Sequence, residues 1–219
     1  SMNETESAFG AVLFDLDGTL VDSRDDVAAS VNVGLEHLGS APREIAEIAR
    51  HIGEPLTDIF RAFLAGAGPS DIEEACAAYR RHFFDNCARK STLYSGVLAC
   101  IERLAPIPLG IATSKATFQA VRVCEVFGID RFFRAIQGCD GIAHKPDPAV
   151  VLAALGRLGV APKEAWMVGD TVFDIRAGRA AGCRTCAVTY GIGEKEELAA
   201  ERPDLLVDDL ASFAKALLG

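Results

Sequence analysis

The residues best suited to chemistry stand together in Phe14-Asp15-Leu16-Asp17-Gly18-Thr19-Leu20-Val21-Asp22-Ser23. Ala11 to Phe14 is a short uninterrupted apolar run, the pattern of a strand covered on both faces in a parallel sheet, so Asp15 falls at its carboxyl end. In open α/β sheets that edge is where ligands bind, because the loops leaving the strands form the crevice. Strand side chains repeat every two residues, which predicts that Asp15 and Asp17 point the same way while the chain stays extended. Two adjacent carboxylates repel. The pair is tolerable when a cation lies between them or when one takes a proton, and both conditions suit an enzyme that moves phosphate. Gly18 permits the sharp departure from the strand. A capped turn after a buried strand would account for Gly18 and Thr19, but not for two acids at a sheet edge.

Three later stretches offer groups of matching chemistry. Ile111-Ala112-Thr113-Ser114-Lys115 ends an apolar run on hydroxyls and enters a helix, whose free N–H groups and dipole favour an anion. Thr113 is the natural phosphate ligand there, with helix capping the competing role for Thr113 and Ser114. Lys145, in Gly141-Ile142-Ala143-His144-Lys145-Pro146-Asp147-Pro148, is presented from a loop that two prolines stiffen. His144 reads as its neighbour rather than as a catalyst. Met167-Val168-Gly169-Asp170 is a second apolar run ending on an acid, and Asp174 follows in the first turn of the next helix, where a carboxylate suits the dipole. An all-oxygen set with positions left for water and phosphate fits Mg²⁺.

The elements that must position these groups follow from the apolar pattern. A helix is predicted from an N-cap at Ser23 to about Leu38, with Val27, Val31, Leu35 and Leu38 on one face. Further helices are predicted at about 43–51, 55–64 and 70–88, broken at Gly53 and at Gly66-Ala67-Gly68-Pro69. This all-helical excursion of about seventy residues is far longer than an ordinary connection between a strand and a helix and reads as an inserted lobe. From Ser95 onward helix and strand alternate: helices at 96–104, 117–127, 148–158, 172–181 and 210–218, strands at 108–113, 132–137, 165–168, 185–189 and 205–207. The fold class is therefore α/β, a doubly wound parallel sheet with an inserted all-helical cap. Residues 1–19 and 91–219 form the core in this division, and 20–90 the cap.

Composition narrows the partners. The chain has 219 residues, half of them hydrophobic, and a formal net charge of −9, which argues against nucleic acid or an anionic membrane. No uncharged apolar stretch approaches the ~18 residues of a membrane span, and the N-terminus lacks a basic flank with an apolar segment. Ser1 before Met2 reads as a remnant of recombinant expression. Seven cysteines, an odd number, point to free thiols in a reducing, cytoplasmic compartment. Cys183-Arg184-Thr185-Cys186 has redox spacing, yet it runs into a predicted strand, where residues three apart face opposite ways.

The block Asp15-Leu16-Asp17-Gly18-Thr19, with Thr113, the Lys145-Pro146 pair and Gly169-Asp170 followed by Asp174, resembles the four motifs of the haloacid-dehalogenase superfamily of phosphatases, in order. Tyr190-Gly191-Ile192-Gly193 further resembles its phosphoglycolate phosphatase-like branch. The resemblance implies that Asp15 is the nucleophile and Asp17 the acid, then the base. It also implies that Thr113, Ser114, Lys145 and the turn at Gly18 meet the phosphoryl group, and that Mg²⁺ is held through Asp15, Asp17, Asp170 and Asp174. An acid at Asp17 favours phosphate over halide chemistry, and the absence of any lysine between Leu20 and Arg89 removes the Schiff-base chemistry of the phosphonatases. Val27 stands where the related sugar-phosphate mutases carry a histidine.

The expected substrate is a small phosphate ester, first 2-phosphoglycolate, with nucleotides, pyrophosphate and sugar phosphates as alternatives and a non-catalytic phosphate-binding protein as the rival class. Monomer and homodimer both remain open. Arg50 and His51, on the break at Gly53 and Pro55, are the candidates for reading an anionic leaving group.

Overall fold

The structure, a computed structural model, describes residues 10–219. Ser1 and Met2, and the first part of the expected 1–19 segment, lie outside the described residues. Strand β1 (Ala11–Phe14) leads through a turn to the short β2 (Val21–Asp22), and four helices follow: α1 (Arg24–His37), α2 (Ile45–Ala49), α3 (Leu56–Phe63) and α4 (Pro69–Asn86). The chain returns through β3 (Thr92–Leu93) to α5 (Val97–Leu104), β4 (Leu109–Ala112), α6 (Thr117–Val126), β5 (Phe133–Gln137) and α7 (Ala149–Leu158). It ends with β6 (Ala165–Gly169), α8 (Val172–Ala181), β7 (Arg184–Val188), α9 (Lys195–Ala200), β8 (Leu205–Val207) and α10 (Leu210–Leu218).

Six strands form one sheet in the order β5, β4, β1, β6, β7, β8, and every pairing in it is parallel. β1 is central, so Asp15 emerges between the ends of β4 and β6. The pleat divides the core in two. Val12, Phe14, Ile111 and Val168 pack on one face with Ile101 and Phe213, while Leu13 and Met167 pack on the other with Val150, Val151 and Ala177. The ring of Phe14 meets those of Phe133 and Phe213 edge to face, with centroids 6.4 and 6.3 Å apart. Cys183 and Cys186 fall in different faces of the core, as their spacing in an extended chain requires.

The helical segment is laced at its two ends. β2 and β3, not anticipated from the sequence, pair antiparallel, Val21 with Leu93 and Asp22 with Thr92. The buried Asp26 carboxylate accepts from the N–H groups of Lys90 and Ser91, at 3.0 and 2.8 Å, and from the Ser91 hydroxyl at 2.6 Å. Val27, Val31 and Leu35 of α1 are buried against α4, as their common face predicts. Gly34 sits at the tightest point of that packing: an added Cβ would stand 2.4 Å from the Phe60 ring and 2.8 Å from the Ala75 carbonyl.

Candidate active site

The carboxyl edge of β1, β4 and β6 gathers the polar groups. Asp15, just past β1, is buried, and its N–H donates to Val168 O at 2.9 Å, fixing it beside β6. The turn closes as Gly18 N–H donates to Val21 O and Val21 N–H to Leu16 O, at 2.9 and 3.1 Å. The sequence reading placed the Gly18 N–H among the phosphoryl donors, whereas here it is committed to the turn. What Gly18 gives is space: its φ is +88°, and a Cβ would lie 2.2 Å from the Asp170 carboxylate.

Lys145 reaches from the loop before α7 into the floor of this site. Its ammonium, on a residue only 4% exposed, donates to Asp15 Oδ1 at 2.8 Å, Asp174 Oδ1 at 2.6 Å and Ala112 O at 3.1 Å. Asp174 performs two tasks. Its Oδ2 accepts from the N–H groups of Asp170 and Thr171 and from the Thr171 hydroxyl, which caps α8 in return. Asp170 is fully buried. It accepts from the Thr19 hydroxyl at 2.8 Å and from the Ile192 N–H at 2.7 Å. Gly191 and Gly193 make that approach possible, since a Cβ on either would fall within 2.4 Å of Asp170 or of the Gly18 carbonyl.

Asp17 faces a different set of partners. Its Oδ1 accepts from Ser23 at 2.6 Å and its Oδ2 lies 3.3 Å from the Lys115 ammonium. Ser23 stands at the N-cap position of α1, but its hydroxyl goes to Asp17 instead of capping the helix. The Lys115 side chain turns inward. Its ammonium is buried, 4.1 Å above the Phe83 ring, with Tyr79 stacked on Phe83 alongside. Thr113 is buried, its hydroxyl accepting from the Lys115 N–H at 3.2 Å. Ser114 Oγ is buried with no hydrogen-bond partner among the described residues.

A cavity of about 410 Å³ opens above these groups, within the range of small-molecule sites. Asp15, Asp17 and Thr113 line its floor, and Ile52, Leu56 and Tyr79 from the helical segment line its roof. The break at Gly53 does reach the cavity, through Ile52, Gly53 and Glu54. Arg50 and His51 are not among the lining residues. Arg50 is exposed, and His51 pairs with Glu54 at 3.1 Å against the edge of Phe63. Sequence reasoning missed Gln119 and gave His144 no role, and both line the cavity.

The electrostatics are those of crowded carboxylates. Burial, with Asp174 beside it, holds the Asp15 carboxyl well above its ordinary range despite Lys145. Burial and the same neighbour push Asp170 up to about 7. Burial alone would lower Lys145; Asp15 and Asp174 outweigh it and hold the ammonium above its usual value. Oxygens of Asp15, Asp170 and Asp174 lie within 4.8 Å of one another. With all three ionised, three carboxylates against one ammonium leave a surplus of two negative charges, in a buried, all-oxygen set. That is the chemistry of a divalent-cation site. The Asp17 side chain stands outside this trio, because Ser23 and Lys115 hold it.

A parallel six-stranded sheet carries an acidic, lysine-braced site at its carboxyl edge, and residues from the helices between β2 and β3 line the cavity above it. Residues 12–188 match the model of the haloacid dehalogenase-like hydrolases. The chain is 34% identical over 208 residues to Phosphoglycolate phosphatase 1 of Pseudomonas aeruginosa, covering 91% of this chain and 76% of that protein. It is 33% identical over 212 residues to Pyrophosphatase PpaX of Bacillus velezensis, covering 95% and 96%. A solved structure from Haemophilus somnus, described as a predicted phosphoglycolate phosphatase, superposes with a TM-score of 0.87 at 28% identity, over 96% of this chain and 99% of that one. The chain belongs to the haloacid dehalogenase-like hydrolase family, and within it is a phosphatase.

Proposed function

We propose that the protein is a Mg²⁺-dependent phosphomonoester hydrolase working through an aspartyl-phosphate on Asp15, with 2-phosphoglycolate as its first substrate. The observation that carries this is Asp15 itself, buried at the end of the central strand, braced by Lys145 at 2.8 Å and sharing one cavity with Asp17. An Asp15 oxygen bonds to phosphorus as the bond from phosphorus to the leaving oxygen breaks, and Asp17 gives that oxygen its proton. Asp17 then takes a proton from water, the water oxygen bonds to phosphorus, and the bond from phosphorus to Asp15 breaks, releasing inorganic phosphate. Ser23 and Lys115 hold Asp17 in one orientation through both steps. Lys145 and Thr113 stabilise the phosphoryl oxygens.

The residues that would hold the cation are Asp15 and Asp170, with the Asp17 backbone carbonyl, while Asp174 anchors Lys145. Bound there, the cation would neutralise charge on the phosphoryl group. In this reading segment 20–90 is the cap, excluding water from the floor. The names of the relatives support 2-phosphoglycolate, and the match along nearly the whole of a pyrophosphatase supports pyrophosphate as the second reading. The buried free thiols fit a reducing cytoplasmic setting.

Turnover of p-nitrophenyl phosphate with Mg²⁺ tests the proposal. It is expected to vanish with EDTA, to be lowered by calcium, whose looser coordination misplaces the carboxylate, and to fall at least about a thousandfold in Asp15→Asn. An Asp15→Asn rate within about tenfold of the unmodified enzyme would remove Asp15 from the covalent role.

A further inference from the structure

Two buried lysines brace the two carboxylates of the first turn, and different parts of the molecule hold them. Lys145 meets Asp15, Asp174 and the Ala112 carbonyl, all of them outside the helical segment. Lys115 meets Asp17 at 3.3 Å, the Tyr79 hydroxyl, and the face of the Phe83 ring at 4.1 Å. Tyr79 and Phe83 both belong to α4, in the helical segment. An ammonium has three N–H groups and no acceptor, so three partners stand around three donors.

The main chain of Lys115 is fixed without α4. Its N–H donates to the Thr113 hydroxyl at 3.2 Å, and its carbonyl accepts from the Cys139 N–H at 3.0 Å. The side chain is different. Its long stem has many rotamers, and seating one of them costs conformational entropy that the partners must offset. Two of those three partners come from α4. The residue after Phe83 seats that helix on α6: the Phe84 ring is 6.1 Å from that of Phe118, and the Arg122 guanidinium lies over it at 5.2 Å.

The Asp17 carboxylate inherits this dependence. Ser23 holds its Oδ1 at 2.6 Å, and Lys115 is the partner of its Oδ2. The last torsion of an aspartate is broad, so a contact to one oxygen does not by itself fix the other. Phe83 is wholly buried and is not among the residues lining the cavity. It touches Lys115 without reaching a substrate.

We propose that Tyr79 and Phe83 are positioning residues: they hold Lys115 and, through it, set the orientation of the Asp17 carboxylate toward the leaving oxygen. The proposal rests on the phosphomonoester reading given above, in which Asp17 gives that oxygen its proton as its bond to phosphorus breaks. The nucleophile and its lysine need nothing from α4, whereas the proton donor does.

The leaving group supplies the readout. p-Nitrophenolate departs readily as an anion and phenolate far less so, and kcat/KM reports the step in which either leaves phosphorus. General acid catalysis contributes about 10²–10⁴-fold where a proton is needed. Phe83→Leu is expected to raise the ratio of kcat/KM for p-nitrophenyl phosphate over phenyl phosphate about tenfold, a part of that contribution. Tyr79→Phe, which removes a single oxygen, should raise it too, and carries the test if Phe83→Leu folds poorly. Lys115→Met should raise it further, and Phe83→Leu added to Lys115→Met should raise it no more, since the route through the ammonium is already gone. Equal losses on both substrates, an unchanged ratio in variants that keep the parent's urea midpoint, or a further rise in the double variant would overturn the proposal. Asp17→Asn separates it from the reading beneath it. A ratio that does not rise in Asp17→Asn fails Asp17 as the proton donor, and the positioning with it. A rise there without one in the Phe83 and Tyr79 variants fails the positioning alone.

Discussion

The ammonium of Lys145 serves two carboxylates at once, so its removal acts on stability and chemistry together. Lys145→Met would leave Asp15 and Asp174 buried without their shared cation. Breaking a buried pair from one side costs about 3–5 kcal/mol, and a urea unfolding curve should show a loss of that size in metal-free protein. Turnover of p-nitrophenyl phosphate should fall in the same variant. A midpoint unchanged by the substitution would mean that the three groups do not depend on one another. Asp15, Asp170 and Thr113 could be singled out in the sequence because each follows an apolar run at a strand end, and Lys145 because two prolines stiffen the loop that presents it. Lys115 was not. Its partners Asp17, Tyr79 and Phe83 come from two distant stretches, and only their meeting makes burial of a lysine tolerable. Gln119 was equally hidden, since a glutamine in the first turn of a helix looks like solvated surface until its neighbours are known.

Among the elements, the close contact of α1 with α3 and α4 at Gly34 makes a sharp test. Alanine would gain up to about 1 kcal/mol of helix propensity over glycine. It would also drive a methyl group into the Phe60 ring and the Ala75 carbonyl, and overpacking of this kind costs about 1–3 kcal/mol. Gly34→Ala is therefore expected to lower the urea midpoint, and a raised midpoint would contradict the packing described. The long helices and all six strands of the sheet were readable because their apolar periods run for enough residues to be seen. β2 and β3 were not, because two residues cannot show an alternation. α9 escaped for a related reason: of its six residues only Leu198 is buried, so no stripe exists.

At the scale of the whole molecule, the crowded carboxylates couple stability to pH and to metal. Asp15 and Asp170 are both held above their unfolded values, Asp170 at about 7. The folded, metal-free protein thus binds more protons than the unfolded chain between about pH 4 and about pH 7, and its stability should fall as pH rises through that window. A divalent cation held by the same carboxylates would compete with those protons. Thermal unfolding across this range should slope downward in EDTA and flatten with Mg²⁺, which at a hundredfold excess over its Kd would add about 2.7 kcal/mol. A rising slope in EDTA would contradict the assignment. The seven cysteines give a second global readout. All are buried and free, and burial raises every thiol, Cys139 and Cys183 to about 11. An alkylating reagent should label almost none of them in the native protein and all of them in urea.

The Asp26 carboxylate, gripping Lys90 and Ser91 beside the short ribbon of β2 and β3, makes the departure and return of the helical segment neighbours in space. A path whose two ends are clasped in this way places almost no demand on the length of what lies between them, since the entropy of closing it grows only slowly with the number of residues enclosed. The helices are in that sense an exchangeable attachment on a fixed socket. A change in the length of the path between the clasped ends should therefore leave the register of the sheet below unaltered.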